Sequence, residues 1–296
     1  MIAKITLALA ALLPIGIAAT SSAARAEGTI SACGAVSAPG TYIVTKDITA
    51  PPNTNCITIS AKGVAIDLQD HTISGSGFSS GIIGGPSNII VANGTVTGFN
   101  QNINFAGASA VTVANVTATN GGFSGINVGG NDAVVTDSKA TNNGTYGIYF
   151  QGSNNTVRNT TSNNNGTGIA FFVNNNTVIN SKANDNKNNG MNFATNSNNV
   201  IDNGKANGNG SSGIYLEKGG GTITDSQADG NAANGILAGG PGNLLAGNSA
   251  NGNGADGISV VCPSNLYDNT AHGNHGGNIV ANGTGCASLN HNPDDR

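Results

Sequence analysis

Asp67, Asp70 and His71 form the densest group of residues in this chain that could carry acid–base chemistry. A positioned carboxylate or histidine can transfer a proton during a reaction, and hydrolysis of a glycosidic bond needs two carboxylates about 5–9.5 Å apart. The alternating pattern around Asp67 is that of a strand with this carboxylate facing outward. Asp67 and His71 are therefore weak catalytic candidates.

Arg158 is a third weak catalytic candidate. It is the only arginine between residue 26 and the C-terminal residue. A polysaccharide lyase requires a base, often Arg or Lys, and usually Ca²⁺ held by acidic side chains. A solvated surface charge is the simpler interpretation of a single arginine.

His272 and His275 lie three residues apart, a spacing that could suggest a metal site. No His lies near either pair of cysteines, no CxxC motif occurs, and a third ligand would require His291 to fold back. We expect no metal ion and no other cofactor.

Tyr149 and Tyr215, together with Asn127 and Asn192, could bind a carbohydrate. An exposed tyrosine can stack on a sugar ring, and asparagine amides can hydrogen-bond to sugar hydroxyls. The alternative is an ordinary strand surface, on which tyrosine is simply favoured. Both interpretations depend on the elements that place these four residues.

A short repeat along the chain positions all of these candidates. Ten aliphatic residues recur at a nearly constant step, and an Asp, Asn or Gly follows each of them by two positions. The ten are Leu68, Val91, Val113, Val135, Val157, Val178, Ile201, Ile223, Leu245 and Leu266. A period this short, about 22 residues, fits one coil of a wound sheet, in which each coil stacks on the last.

Further columns complete each coil. A Gly followed by an apolar residue begins a second strand, a small-residue column runs from Ala118 to Ala271, and a turn asparagine recurs from Asn143 to Asn274. Stacked asparagines can bond to one another and to the turn backbone, and they tolerate the left-handed conformation of tight corners. The outward positions of the second strand are Asn104, Asn127, Tyr149, Ala170, Asn192, Tyr215, Leu237 and Ser259.

The repeat argues against an enzyme in two ways. In the best-aligned coils, acids never occupy the same column on neighbouring coils; Asp202, for example, is flanked by Ile179 and Thr224. The coils between Gly125 and Gly257 are all close to the minimal length for this repeat, which leaves no room for the walls of a cleft.

The four cysteines form two pairs, Cys33 with Cys56 and Cys262 with Cys286. Each gap is about one coil, and neighbouring coils lie about 4.8 Å apart, within the Cα separation that a disulfide accepts. Of the possible connectivities, only this one joins neighbouring coils. We predict these two disulfides, one at each end of the solenoid.

Composition and the N-terminal segment indicate an exported protein. Lys4 precedes an apolar stretch, and Ala24-Arg25-Ala26 matches the small-x-small cleavage pattern, so we expect the periplasm or the cell exterior. With 9% charged residues and a net charge of -4, the chain has no basic patch for nucleic acid. We find no transmembrane segment in the mature chain. We predict a signal peptide at 1–26, an N-terminal cap at 27–56, the solenoid at 57–285 and a polar tail at 286–296.

The run from Cys56 to Ile59 and the run from Val64 to Gly75 resemble the first coils of secreted bacterial parallel β-helix repeat proteins of the pectate-lyase-like superfamily. Coil length, inner aliphatic stacks and the asparagine ladder extend the resemblance from Cys33 to Cys286. It implies an all-β fold, a single-stranded right-handed parallel β-helix of about 22 residues per coil. It implies no single activity, because such folds host lyases, hydrolases, epimerases and non-enzymes.

We predict an exported, non-catalytic β-helix protein with a structural or carbohydrate-binding surface, whose partner would be a polysaccharide or cell-envelope glycan. The alternative is a polysaccharide lyase or glycoside hydrolase acting on acidic polysaccharide. An acid cluster or an Arg–acid pair on one exposed face would favour that alternative. Self-assembly through an uncapped end is a third option.

Overall fold

Strands form all of the regular structure in residues 26–194 and 197–289, which the computed structural model describes. Residues 1–25, most of the predicted signal peptide, and His291 lie outside the described residues. The strands are β1 (Ala26–Ile30), β2 (Gly34–Val36), β3 (Gly40–Val44), β4 (Ile48–Thr49), β5 (Ile57–Ile59), β6 (Val64–Asp67), β7 (Thr72–Ser74), β8 (Ser80–Gly84), β9 (Ile89–Thr97), β10 (Gln101–Phe105), β11 (Val111–Thr119), β12 (Ser124–Val128), β13 (Val134–Thr136), β14 (Lys139–Thr141), β15 (Tyr146–Phe150), β16 (Thr156–Arg158), β17 (Thr167–Phe171), β18 (Thr177–Ile179), β19 (Met191–Phe193), β20 (Val200–Asp202), β21 (Ile214–Leu216), β22 (Thr222–Thr224), β23 (Ile236–Ala238), β24 (Leu244–Ala246), β25 (Ile258–Val261), β26 (Asn265–Tyr267), β27 (Ile279–Asn282) and β28 (Ala287–Leu289).

The strands build two parallel sheets wound around a common interior. In the described residues, sheet A has 16 strands, with β1, β3, β6 and β9 at the start of its order, and sheet B has 12, from β2 to β27. Each coil adds a strand to each sheet, so the register stacks Val135 on Val157 and Val157 on Val178. The predicted parallel solenoid with a repeat of about 22 residues is therefore confirmed.

A narrow third face closes each coil. It consists of β4, β7, β14 and the second halves of β9 and β11. Further along the chain it continues as single parallel bridges, from Lys139 to Thr161 and onward to Thr270. Its inner side carries the predicted small-residue column, in which Ala140, Ala183 and Ala206 are fully buried. Small side chains leave little width here, so the two broad sheets can approach each other along this edge.

The interior is a stack of apolar columns. Val157 and Ile223 in sheet A and Ile148 in sheet B are fully buried. Phe150 and Phe171 stack with ring centroids 4.9 Å apart, and Phe171 and Phe193 stack at 5.0 Å. Every coil buries the same positions. The burial of each inner side chain therefore depends on the coil above it and the coil below it as well as on its own coil.

Asparagine satisfies the backbone at the corners. Asn115, Asn159 and Asn203 follow the sheet A strands with φ of 53°, 49° and 50°, the left-handed region that Asn tolerates. At another corner the buried Asn165 accepts the backbone N–H and the side-chain amide of Asn143, both at 2.9 Å. The predicted ladder is thus a chain of bonds between coils.

The two predicted disulfides are present at the two ends. Cys33 is bonded to Cys56 with a Cα–Cα distance of 4.3 Å, and Cys262 to Cys286 with 5.0 Å. In the segment 27–56, β1 pairs with β3 and β2 pairs with β5, so this segment continues both sheets. Its role as a cap stays a prediction. Among the described residues, no helix is long and apolar enough to cross a bilayer.

Candidate functional site

The outer side of sheet B places the four glycan-binding candidates in one column. Asn127 is the register partner of Tyr149, and Asn192 is the register partner of Tyr215. Ala170 lies between the two pairs. The column therefore brings the candidates together as two Asn–Tyr pairs along the solenoid axis.

An aromatic cluster surrounds Tyr149. It consists of the rings of Phe123, Tyr146, Tyr149 and Phe172. Tyr146 and Tyr149 stack with centroids 4.6 Å apart and ring planes at 11°. Phe123 and Phe172 pack edge-on against this pair at 5.3 to 6.3 Å. All four side chains are partly exposed, so the cluster forms an aromatic platform on the outer side of sheet B.

Gly147 allows both tyrosines to lie outside. A Cβ at this position would lie 2.5 Å from Asn165 Nδ2, so residue 147 faces the buried ladder and only glycine fits. Ile148 then also points inward and is fully buried. Two successive inward residues interrupt the strand alternation, and Tyr146 therefore joins Tyr149 on the outer side.

Two phenols of this face, Tyr146 and Tyr215, have a raised pKa and stay neutral at physiological pH. Burial raises the pKa of Tyr146, and the neighbouring Tyr149 adds to the rise. Burial also raises the pKa of Tyr215, with a further contribution from the Glu217 carboxylate. Neutral hydroxyls can both donate and accept hydrogen bonds. The Tyr149 hydroxyl accepts one from Gln151 Nε2 at 2.7 Å.

Three buried polar atoms in sheet B have no hydrogen-bond partner in the described part of the chain. They are Ser124 Oγ, Asn127 Oδ1 and Asn192 Oδ1. Ser124 and Asn127 lie in register beside Tyr146 and Tyr149, respectively. An unpaired buried polar group costs about 1–3 kcal/mol, and native proteins contain few of them. Their position beside the part-exposed rings makes the aromatic cluster the strongest candidate site.

The weak catalytic candidates are not gathered in one place. His71 Nδ1 lies 3.3 Å from Oδ1 of Asp47, one coil earlier, so the carboxylate paired with His71 is that of Asp47. Asp67 instead accepts the Gln69 backbone N–H at 3.0 Å and the Asn93 amide at 3.1 Å. The partner of His71 is thus an aspartate that sequence reasoning missed.

Hydrogen bonds keep both of these carboxylates charged. The Thr72 backbone N–H, 2.8 Å away, lowers the pKa of Asp47; desolvation opposes this effect, and His71 lowers the pKa further. Partial burial raises the pKa of Asp67, but bonds from Gln69 and Asn93 outweigh it and hold the pKa below its ordinary value. A general acid at neutral pH needs a raised pKa, so neither carboxyl is suited to that role.

Arg158 stands apart from both acids. It shares an outer column of sheet A with Asp67, but three coils intervene, which corresponds to about 19 Å. Its direct neighbours are Thr136 and Ile179, and Asp202 lies two coils away. The buried Nε of Arg158 has no partner among residues 26–194 and 197–289.

The histidines near the C-terminus bond through their backbone. The N–H of His272 donates to Asn251 Oδ1 at 2.9 Å, and the N–H of His275 donates to the Asn253 carbonyl at 3.0 Å. Within the described ranges, no group of three or more His, Cys, Asp or Glu side chains is placed to hold a metal ion.

A depression of about 390 Å³ lies at the N-terminal end, lined by residues that include Ser31, Lys46 and Asp47. None of the unpaired buried atoms lies in it, and the carboxylate of Asp47 is already bonded to Thr72 and His71. It is therefore a weaker candidate than the aromatic cluster.

Sequence reasoning identified Tyr149 but missed its three ring partners. Phe123 precedes a strand, Tyr146 begins one and Phe172 follows one, so none occupies the alternating positions used to assign outward residues. A search for aromatic residues outside the inner columns on consecutive coils would have found them.

A parallel β-solenoid built from two wound sheets is the class of protein that these observations define. The sequence-family model described as the right-handed β-helix region matches residues 40–169 and 101–249 of this chain. The chain belongs to this family. A search of curated proteins finds no match.

Several solved structures share the fold. Dettilon tailspike protein superposes with a TM-score of 0.58 at 14% identity, over 87% of this chain and 61% of its own. Pectate lyase Pel9A gives 0.52 at 19% identity, over 85% and 69%. The periplasmic alginate epimerase AlgG gives 0.54 at 12% identity, over 87% and 77%. This chain thus spans less than two thirds of the tailspike chain, and at these identities the likeness concerns the fold alone.

Proposed function

We propose that this protein is an exported, non-catalytic β-helix that binds a glycan on the outer face of sheet B. The site is the aromatic cluster, with Asn127 and Tyr149 at its centre and Asn192 and Tyr215 continuing the column. The observation that carries the proposal is the coincidence of stacked, part-exposed rings with unpaired buried polar atoms. A sugar has an apolar ring face and hydroxyl groups, and these two features complement the exposed rings and the polar groups of this surface.

Two further observations support carbohydrate and export. Proteins of the same fold include structures described as a pectate lyase and as a periplasmic alginate epimerase. Disulfides persist in oxidising compartments, and this chain has two among its described residues. We place the protein in the periplasm or outside the cell, with residues 1–26 as its export signal.

The test is a glycan array probed with the mature chain, followed by affinity measurements on the strongest glycan. Replacing Tyr146 and Tyr149 together by Ala should weaken binding by about tenfold or more, since each ring contributes on the order of 1 kcal/mol beyond area burial. Tyr267→Ala, on the outer side of sheet A, is the matched control and should leave affinity unchanged. Equal losses in both variants, or no glycan bound by the unaltered protein, would refute the proposal.

A polysaccharide lyase or hydrolase is the second candidate. One observation favours it: the His71–Asp47 pair lies beside the N-terminal depression, an arrangement in which an aspartate could orient a histidine base. Incubation with pectin, polygalacturonate and alginate, followed by assays for unsaturated products and reducing ends, tests it. Turnover that is lost in His71→Ala, Asp67→Asn or Arg158→Ala would replace the binding proposal with an enzyme.

A further inference from the structure

Exposed lysines follow one line on the third face of the solenoid. The register of that face runs from Lys139 through Thr161, Lys182 and Lys205 to Gln227. Lys182 and Lys205 are direct neighbours, and all three lysine side chains are exposed. Like charges opposite one another destabilise a sheet, so this column carries a cost that the fold does not require.

Among the described residues, no carboxylate forms an ion pair with a lysine of this column. The ion pairs found among the described residues join Asp47 to His71 and Glu217 to Lys218. On the next coil of the same face stands Asp229, and its carboxylate accepts a hydrogen bond from Gln227 rather than from a lysine.

The acids that precede two of the lysines in sequence also bond to neutral groups. Asp137 accepts the Asn159 amide at 3.2 Å, and Asp202 accepts the Thr224 hydroxyl at 2.7 Å. Neither of these hydrogen bonds engages a lysine of the column.

An asparagine column beside the lysines adds hydrogen-bond donors. Asn163 Oδ1 accepts the backbone N–H of Asn184, Asn184 Oδ1 accepts that of Asn207, and Asn207 Oδ1 accepts that of Asp229. These oxygens are engaged, whereas the amide NH₂ groups of the three asparagines have no acceptor in the described part of the chain. We name Lys139, Lys182, Lys205, Asn163, Asn184 and Asn207 the lysine strip. Ammonium and NH₂ groups only donate, so the strip suits a ligand rich in acceptors.

Arg158 adds a cation on the coil between Lys139 and Lys182. It lies across one corner of the coil, at the end of β16, and its buried Nε is unpartnered within the described ranges. Four successive coils thus each contribute a positive charge along the solenoid axis, at a spacing of about 4.8 Å per coil.

We propose that the lysine strip is a second binding site, for a linear anionic glycan whose charges are carboxylate or phosphate groups. A strip one residue wide matches a chain lying along the axis better than the broad plane of a membrane surface. It has no aromatic side chain on which the bases of a single-stranded nucleic acid could stack. The site is on a different face from the aromatic cluster and does not depend on the function proposed there.

The experiment compares two triple variants of the mature chain with the same change in net charge. Lys139, Lys182 and Lys205 are each changed to Gln, the residue that already occupies the same column at position 227. The control changes the exposed Lys62, Lys187 and Lys218 to Gln. Binding is measured to immobilised polygalacturonate, polyphosphate, duplex DNA, anionic phospholipid vesicles and dextran, at low and at high salt.

We expect the unaltered protein to bind polygalacturonate or polyphosphate, and the preferred one identifies the charged group. The strip variant should lose about tenfold or more at low salt and the control about twofold or less, because surface charges act over roughly a Debye length. Tyr146→Ala with Tyr149→Ala should not alter this binding, which separates the two sites. Equal losses in both triple variants, tighter binding to DNA or vesicles, or no binding to either polyanion would each overturn the proposal.

Discussion

Two stretches of the solenoid share one interior and differ on the outer side of sheet B. In the aromatic stretch, residues 123–172, and in the plain stretch, residues 214–260, the inner isoleucines Ile148 and Ile236 are equally buried. Outside, the first carries four packed rings, whereas the second presents Tyr215, Leu237 and Ser259 in the outer column. The fold therefore does not require the aromatic cluster, and its presence on one stretch only is what points to a ligand.

The largest effect should come from a charge in the shared interior. Val157→Asp lies in the aromatic stretch and Ile223→Asp in the plain stretch, both at fully buried positions of sheet A. Each buries a carboxylate without a partner, and each should lower the free energy of unfolding by about 4 kcal/mol or more. Thermal melts followed by circular dichroism measure this. A variant that melts like the unaltered protein would break the idea of a uniform interior.

The asparagine ladder should come next. Asn165→Ala removes the acceptor of two Asn143 groups, and Asn253→Ala removes the acceptor of the matching Asn231 groups. Leaving buried donors unpaired should cost about 2–4 kcal/mol in either stretch. Urea denaturation of both variants gives the two values. A difference larger than about 1.5 kcal/mol would show that the ladder supports the two stretches unequally.

A smaller effect, opposite in sign, should come from a buried hydroxyl in the aromatic stretch. Ser124→Ala removes an unpaired buried hydroxyl, so the stability of the variant should stay the same or rise by up to about 1 kcal/mol. Ser162 is the control, because its hydroxyl donates to the Gly168 carbonyl at 2.7 Å, and Ser162→Ala should destabilise by about 1 kcal/mol. A clear loss of stability in Ser124→Ala would mean that its hydroxyl has a structural partner.

The smallest effect concerns pH and lies outside both stretches. The lowered pKa of Asp67 means that its stabilising contribution is present above the unfolded pKa of about 3.9. That contribution is lost as pH falls through the lower folded pKa. Asp67→Asn should therefore lower Tm by about 2 °C or less near neutral pH, and the difference should vanish in acid. A difference that grows in acid would reverse the assigned direction.

Much of the fold could be predicted because every coil has nearly the same length. Because the step along the chain is nearly constant, the spacing alone predicts which residues stack. Val135, Val157 and Val178 share a column, and cysteines one coil apart lie close enough to form a disulfide. The corner asparagines follow for the same reason, since each turn recurs at the same place. The site was less predictable, because strict alternation gave Tyr149 an outward position and overlooked Tyr146 three residues earlier.

By itself, the sequence determined the coil length, the inner columns, the asparagine ladder and both disulfides, because these depend only on spacing along the chain. The tertiary structure alone decided what lies together across a corner or beyond a strand end. It paired His71 with Asp47, separated Arg158 from Asp67 and gathered Phe123 and Phe172 around two stacked tyrosines. The physical reason is that a repeat specifies which coils are neighbours, whereas side-chain grouping also depends on the local backbone path, such as the inward turn at Gly147.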